Sequence, residues 1–458
     1  MTQMLERSLS LTGAVGLIVG FVVGGSIFVL TPELAGMTGP SLWLAYGFSA
    51  IPAIFASLYL IQLGGALPVT GSNYIAVTRW VSPSAGFSSS MATGIAMVSG
   101  NCLMAWGFAE YLAPYLPGIP ITLNAVGVIV LFGIVNWFGS KFFEKIQIAM
   151  MAIFAIAMLI FGVGGILNVD PAIQTPFFAK GTESFITVIA IATFSWAGVI
   201  SIVEVAGEVK NPRVNIPLSI LISMMIISIL YGVQTYALTG TLYWKEAAQI
   251  GSTAVLVAAS TFLPGWCVQV ISVGALMAMA TSINAVMMMG AREVLVWSRD
   301  QVIPRPFGAI HPRHKTPGRA IILITALSIL GVLFAADIQK YALMVIFALM
   351  VIQFLGATAV LRMPHKAPEI YEQGLFQFSA FWRWFIWVGC AVFFLLIFLF
   401  GFLADYQTGV VFLGLLGITI LYWFFRKQFL LKRGICLESK LSELGDSGML
   451  ELGSVKEQ

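Results

Sequence analysis

Two short glycine-containing stretches interrupt long apolar runs: Val23-Gly24-Gly25-Ser26-Ile27-Phe28 and Phe194-Ser195-Trp196-Ala197-Gly198. The chemistry they offer is not covalent. Adjacent glycines each weaken a helix by about 1 kcal/mol relative to alanine. Where a helix unwinds, its peptide groups lose their partners, and bare N–H groups at a half-helix N-terminus favour an anion such as a carboxylate. Gly24 and Gly198 each lie near the middle of the first run of a five-run half. Paired interruptions at matching positions point to a binding site near a membrane midplane, between inverted repeats. Close helix packing through small residues is the competing reading. It does not predict the match, although glycine is common here, at 45 residues.

Other polar residues inside apolar runs are few. Asn101 shares a helix face with Met97 and Met104 by i, i+4 and i+7 spacing, and Asn284 follows Thr281 and Ser282. Each serves either helix–helix hydrogen bonding or a solute-facing role. Glu204 and Glu208 stand at i, i+4; Glu208 is expected to pair with an inner-loop cation or cap a backbone, and the deeper Glu204 is the candidate gating or proton-coupling acid. No ionisable residue lies in the middle of runs 1, 3, 5, 8 or 10, where proton relays and cation sites usually place one. His311, His314 and His365 fall in loops, and Cys102, Cys267, Cys390 and Cys436 read as free thiols, so no metal site and no cofactor are expected. No Walker A, HExxH or GxSxG pattern occurs, which argues against ATP-driven pumping, against hydrolysis and against an enzyme generally.

The elements that must position these residues are membrane helices. Of 458 residues, 59% are apolar and only 10% charged, against about a quarter charged in soluble domains. The lipid bilayer is the expected solvent, and the basic residues form no stripe of the kind that binds nucleic acid. Twelve runs long enough to span can be drawn: 9–30, 41–66, 84–111, 121–139, 146–167, 184–203, 217–240, 265–290, 320–335, 341–361, 385–403 and 409–425. In lipid the backbone must satisfy its own hydrogen bonds, and no strand-like alternation supports a barrel. With the N-terminus inside, all but Lys180, Lys245 and Lys340 of the 24 lysines and arginines fall on the cytoplasmic side. The first run is too long for a signal-peptide core and reads as retained. The expected organisation is a cytoplasmic N-terminus (1–8), a first repeat (9–168), a second repeat (184–361), two further helices (381–425) and a polar cytoplasmic tail (426–458). The 241–264 loop is expected to hold a small helix around 253–261, and 291–319 to be a long inner loop.

Four motifs, in order, carry a resemblance. The 23–28 stretch resembles the first-helix G-S-G-[IV]-F motif of the amino acid–polyamine–organocation (APC) transporter family. Pro68-Val69-Thr70-Gly71-Ser72-Asn73-Tyr74 resembles its P-x-[ST]-G-[GS]-x-Y loop. Glu208-Val209-Lys210-Asn211-Pro212, followed by Ile216-Pro217, resembles E-V-K-N-P…[IL]-P; Arg299-Asp300-Gln301-Val302-Ile303-Pro304 resembles R-D-G-x-[IL]-P. The resemblance covers residues 9–425. It implies an all-α membrane protein of twelve transmembrane helices, a five-plus-five inverted repeat with two peripheral helices, and a site between runs 1, 3, 6 and 8. A substrate carboxylate would sit on N–H groups around Gly24, Gly25 and Ser26, beside Ile27. Its amino group would meet carbonyls near Val23 and around Ser195, Trp196 and Ala197, next to Gly198, with Phe194 or Trp196 as aromatic lid. Ser26 stands where glycine is usual. Over Gly100-Asn101 the third run is similar to the family's arginine–agmatine antiporter, which adds Asn101 to the site set, with Asn284 next.

Departures from the family pattern bear on the substrate. Residues 148–166 carry no lysine, Ile200 replaces an acid found in some relatives, and Val286 stands near a position held by tryptophan in the antiporter. They favour a secondary amino acid transporter, permease or exchanger, moving a small neutral amino acid across the plasma (inner) membrane by alternating access. A basic amino acid or polyamine antiporter is the alternative within the family, and a non-transporting amine sensor or channel the alternative of another class. Oligomeric state is left open, a homo-oligomer included.

Overall fold

The computed structural model describes residues 7–334 and 337–442. Residues 1–6 of the N-terminal segment, Ala335 of the ninth run, and tail residues 443–458 with Lys456 lie outside the described residues. Twelve helices carry the architecture: α1 (Leu11–Val23), α2 (Leu42–Ala66), α3 (Pro83–Leu112), α4 (Ile121–Trp137), α5 (Ser140–Leu167), α6 (Gly181–Ala192), α7 (Pro212–Thr241), α8 (Gly265–Arg299), α9 (Gly318–Phe334), α10 (Ile338–Lys366), α11 (Ala380–Ala404) and α12 (Tyr406–Leu431). Among the described residues, nine spans are long and apolar enough to cross a membrane, one of them the 56-residue stretch Leu11–Ala66; α4 and α9 are shorter apolar helices. No strand is formed among the described residues beyond a single bridge between Leu9 and Val209.

Helix starts follow local chemistry. The Ser10 hydroxyl accepts from the Gly13 N–H. Ser82, in extended conformation before Pro83, accepts from Ala85 N–H at the start of α3, and Asp405 accepts from Gln407 and Thr408 at the start of α12. Each satisfies a donor that the first turn would leave unpaired. Hydrogen bonds from Leu9 N to Glu208 O and from Lys210 N to Leu9 O, both 2.9 Å, tie the entry to α1 to the segment after α6.

Burial separates centre from periphery. The most apolar windows of Leu11–Ala66 and α8 are 89% and 83% buried, whereas those of α11 and α12 are only 22% buried. Large apolar side chains such as Met225, Leu395 and Phe425 point outward, as they must where lipid replaces water. The central helices therefore form a core, and α11 and α12 lie against its flank through α10.

Two helices extend beyond their expected ends. α8 continues past Gly290 to Arg299, so the expected inner loop begins about nine residues later, and Arg292 and Glu293 are buried helical residues. α12 runs to Leu431 and is followed by a short helix, Leu437–Ser442. The 241–264 connection holds two helices, Trp244–Ile250 and Ala254–Phe262, the second at the expected place.

Candidate functional site

The two glycine-containing stretches break their helices differently. α1 ends at Gly24, whose φ of −11° and ψ of −130° leave helical geometry. The chain then makes a widened π turn over Ser26–Leu30 and resumes as Thr31–Thr38. α6 does not open. It tightens into a 3-10 helix over Thr193–Ile200 before a last α turn, Ser201–Glu204. Eight residues of 3-10 winding is long, and mid-helix it marks a hinge or strain. The expected unwound point near Gly198 is thus a change of winding. The Gly198 Cα faces Phe21, and an added Cβ would lie 2.7 Å from that ring.

Tyr231, on α7, joins the two breaks. Its hydroxyl lies 2.6 Å from the Val22 carbonyl and 2.8 Å from the Ser195 carbonyl. Ser26 Oγ is 3.1 Å from the same Val22 carbonyl and 3.0 Å from the Tyr231 hydroxyl. Two hydroxyl protons can serve both carbonyls only if Ser26 donates to Val22 while Tyr231 donates to Ser195. The Tyr231 ring is held edge-on by Tyr46 and Trp196, at 5.3 and 5.5 Å. Trp196 in turn donates from Nε1 to Ser49 Oγ at 3.0 Å.

From the other side, α8 supplies hydroxyls to the carbonyls just before the α1 break. Thr281 Oγ1 donates to Gly20 O (2.7 Å) and Ser282 Oγ to Phe21 O (2.9 Å). Gln147 of α5 donates to the Thr281 carbonyl at 3.2 Å and accepts from Asn284 Nδ2 at 2.8 Å. Asn136 of α4 donates to Asn284 Oδ1 at 2.9 Å. These amides form one buried chain across α4, α5 and α8.

A narrow cavity of about 30 Å³ lies between α1, α3, the 3-10 stretch Thr193–Ile200, α8 and α10, lined among others by Phe21, Met97, Gly100, Met104, Phe194 and Ala197. That is room for a water molecule and not for an amino acid. A separate recess of about 450 Å³ opens at one end of the bundle, where Glu33, Glu110, Ser252 and Thr253 line it. Two buried ion pairs lie towards the opposite end. Arg292 Nε meets Glu208 Oε1 at 2.6 Å, and Arg79 meets Asp300 at 2.9 and 3.2 Å. The cation expected for Glu208 is therefore Arg292, and it stands on α8, not in a loop.

The residues singled out from sequence divide accordingly. Phe194 and Ala197 line the cavity. Val23, Gly24, Gly25, Ser26 and Ile27 are buried along the α1 break, Gly25 against Met104 and Met279. Ser195, Trp196 and Gly198 form the 3-10 wall behind the cavity. Asn101 faces away, donating to Ser328 Oγ of α9 at 3.0 Å, while its neighbours Met97 and Met104 reach the cavity. Asn284 is engaged in the amide chain, and Glu204 sits towards the ion-paired end. Phe21, Thr93 and Tyr231 join the site without a place among the residues expected from sequence. Adjacency to the glycine pair marks Phe21, but a tyrosine in an apolar run gives no such signal.

The sequence model of the amino acid permease family matches residues 9–425. This chain belongs to the amino acid permease family. Among the relatives of this permease is a branched-chain amino acid permease of Bacillus subtilis (strain 168), 25% identical over 334 residues, covering 68% of this chain and 71% of that protein. A cationic amino acid transporter of Arabidopsis thaliana is 26% identical over 357 residues, 73% of this chain and 62% of its own. The cystine/glutamate transporter of Pongo abelii is 26% identical over 388 residues, 80% and 76%. Amino acid transport across a membrane by a multi-pass helical protein, and not enzymatic catalysis, is what this family does.

Proposed function

We propose that this permease is a secondary transporter carrying a small neutral amino acid across the plasma membrane by alternating access, with both termini cytoplasmic. The observation that carries the neutral-substrate reading is the cavity lining. Phe21, Met97, Met104, Phe194 and Ile200 surround it, and among the described residues no ionisable side chain lines it. An apolar side chain gains from burial there, whereas a cationic one would lose its hydration without a counter-charge. The substrate carboxylate would be held by peptide N–H groups at Gly24–Ser26, and the amino group by the carbonyls that Tyr231 now occupies. Because the cavity is too small in this conformation, substrate entry requires the helices to separate.

Packing supports the repeat organisation. α5 packs on α8 as α10 does on α3; α1 packs on α7 as α6 does on α2; α3–α4 is mirrored by α8–α9. Pairs α2–α7, α3–α8 and α4–α9 are their own counterparts. A shift by five helices thus exchanges the contacts, as two inverted repeats, 9–168 and 184–361, require. Leu11–Ala66 contains two helices separated at Gly39, which with α4 and α9 favours twelve crossings.

Counterflow tests the function. In proteoliposomes loaded with unlabelled L-leucine, external labelled L-leucine is expected to accumulate transiently, and L-arginine not to compete. Competition by L-arginine alone would turn the reading to the cationic alternative, and uptake without trans-stimulation to a channel. Tyr231→Phe keeps the ring and removes one proton donor between two buried carbonyls. Leaving one unpaired costs about 1–3 kcal/mol, so leucine exchange should fall by roughly tenfold to a hundredfold. Unchanged exchange kinetics would remove Tyr231 from the site.

A further inference from the structure

Two carboxylic acids meet inside the protein near the ion-paired end. Glu204 ends the last turn of the broken helix, Glu293 lies on α8, and each is only 1% exposed. Their side chains lie within hydrogen-bonding reach of each other. Yet, among the described residues, no well-aligned donor reaches Glu204 Oε2 or either Glu293 oxygen. Carboxylates are acceptors only, so two of them facing each other can bond only when one carries a proton. Two adjacent charges withdrawn from water without a cation would not persist.

The surrounding groups do not supply that cation. On α8 the neighbouring Arg292 is committed to Glu208, and Glu293's further neighbour is the Trp297 indole. From α2 come Tyr59 and Gln62, both with unpaired buried polar atoms, and from Ser72–Ala76 come Asn73 and Tyr74. Arg213 of α7 reaches Gln373, and Arg7 before α1 reaches the carbonyls of Ala206, Val209 and Pro68. Arg79 is paired with Asp300, and Glu144 of α5 accepts from Ser10. The pair also sits at the moving joint. Gly71 N donates to the Glu204 carbonyl at 3.0 Å and Ser72 Oγ to the Val203 carbonyl at 2.9 Å, so the loop after α2 is clipped to the same turn.

We propose that Glu204 and Glu293 share one proton and form a latch that holds the broken helix against α8 when this end is closed, so that opening it to the cytoplasm releases the proton. This rests on the transport reading above. The proton is taken up from the outer water while this end is closed and the other end is open, bridges one carboxyl to the other carboxylate, and leaves to cytoplasmic water as hydronium when the two separate and both ionise. One proton would then move with each closing and opening, which makes uptake responsive to an inward proton gradient.

Glu204→Gln and Glu293→Gln test it, because each keeps the shape and supplies amide donors to the remaining carboxylate. In infrared spectra of the purified protein at neutral pH, the wild type should show the carbonyl stretch of a protonated carboxylic acid, shifted by deuterium exchange. Each variant should lose it. In proteoliposomes, L-leucine uptake by the wild type should rise several-fold under an inward proton gradient at zero membrane potential, and each variant should retain leucine exchange but lose that response. A wild type without the infrared band, or variants that keep it, overturns the latch. Wild-type leucine exchange with no response to the gradient overturns the coupling and leaves the transport reading standing. With no leucine exchange at all, that reading falls, and the infrared band alone decides whether the carboxyls share a proton.

Discussion

Gly24→Ala is expected to abolish amino acid uptake. A Cβ at position 24 would collide with the Ser282 hydroxyl and lie 2.9 Å from Ser282 Cβ and 3.0 Å from the Ala278 carbonyl. The carbonyl belongs to the α8 backbone and cannot swing aside, so α1 must move off α8. That separation breaks the Ser282 hydrogen bond to Phe21 O and strains those to Gly20 O. Overpacking of this kind costs about 1–3 kcal/mol, which a chain this size survives, but the displaced atoms are those around which the substrate must fit. Gly16→Ala, on the same helix, is the control. Its Cβ would lie 3.7 Å from Ile148 and Met151, an ordinary contact, and alanine favours the helix by about 1 kcal/mol. Uptake per folded molecule should vanish for Gly24→Ala, persist for Gly16→Ala, and return in part when Gly24→Ala is combined with Ser282→Gly. Wild-type uptake by Gly24→Ala would mean that the α1 break does not hold substrate.

What could be read from the residues alone follows physical range. Apolar length fixes where helices run, since lipid thickness is a sequence-level constraint, and the observed helices overlie the expected runs. The glycine pair at 24–25 foretold its break, because loss of Cβ acts locally. The α6 stretch differs in kind from the expected unwinding. One glycine among Phe194, Trp196 and Ile200 does not open a helix, and the tightened stretch packs Gly198 against Phe21 and ties Trp196 to Ser49. Side-chain direction was the least legible feature. Asn101 shares the helical face of Met97 and Met104 within about one residue's turn, yet it selects Ser328 over the cavity. The expected eighth run stops at Gly290, whereas α8 continues through the charged Arg292 and Glu293 to Arg299. A charged residue ends a helix only if it must reach water, and here Glu208 removes that need for Arg292. The carboxyl pair was hidden for the same reason.

Arg292→Met is expected to destabilise the protein by about 3–5 kcal/mol, the range for breaking a buried pair by removing one partner. Arg292 and Glu208 side chains are only 2% and 1% exposed, and the pair is 2.6 Å long. Methionine fills much of the volume, so the cost is that of a carboxylate stranded without water or counter-charge. Removing both charges should then recover most of the loss, because well-packed apolar replacements of buried pairs are often neutral. Lys427 and Glu438 provide the comparison that isolates burial from distance. Their pair is also 2.6 Å long, but the side chains are 40% and 49% exposed, and such pairs contribute about 0–1 kcal/mol. Thermal unfolding in detergent should therefore show a large fall in midpoint for Arg292→Met, near recovery for Arg292→Met combined with Glu208→Met, and little change for Lys427→Met. Equal small shifts for Arg292→Met and Lys427→Met would show that water reaches the Arg292–Glu208 pair. In that case this end of the bundle would be open to solvent in the molecule at rest.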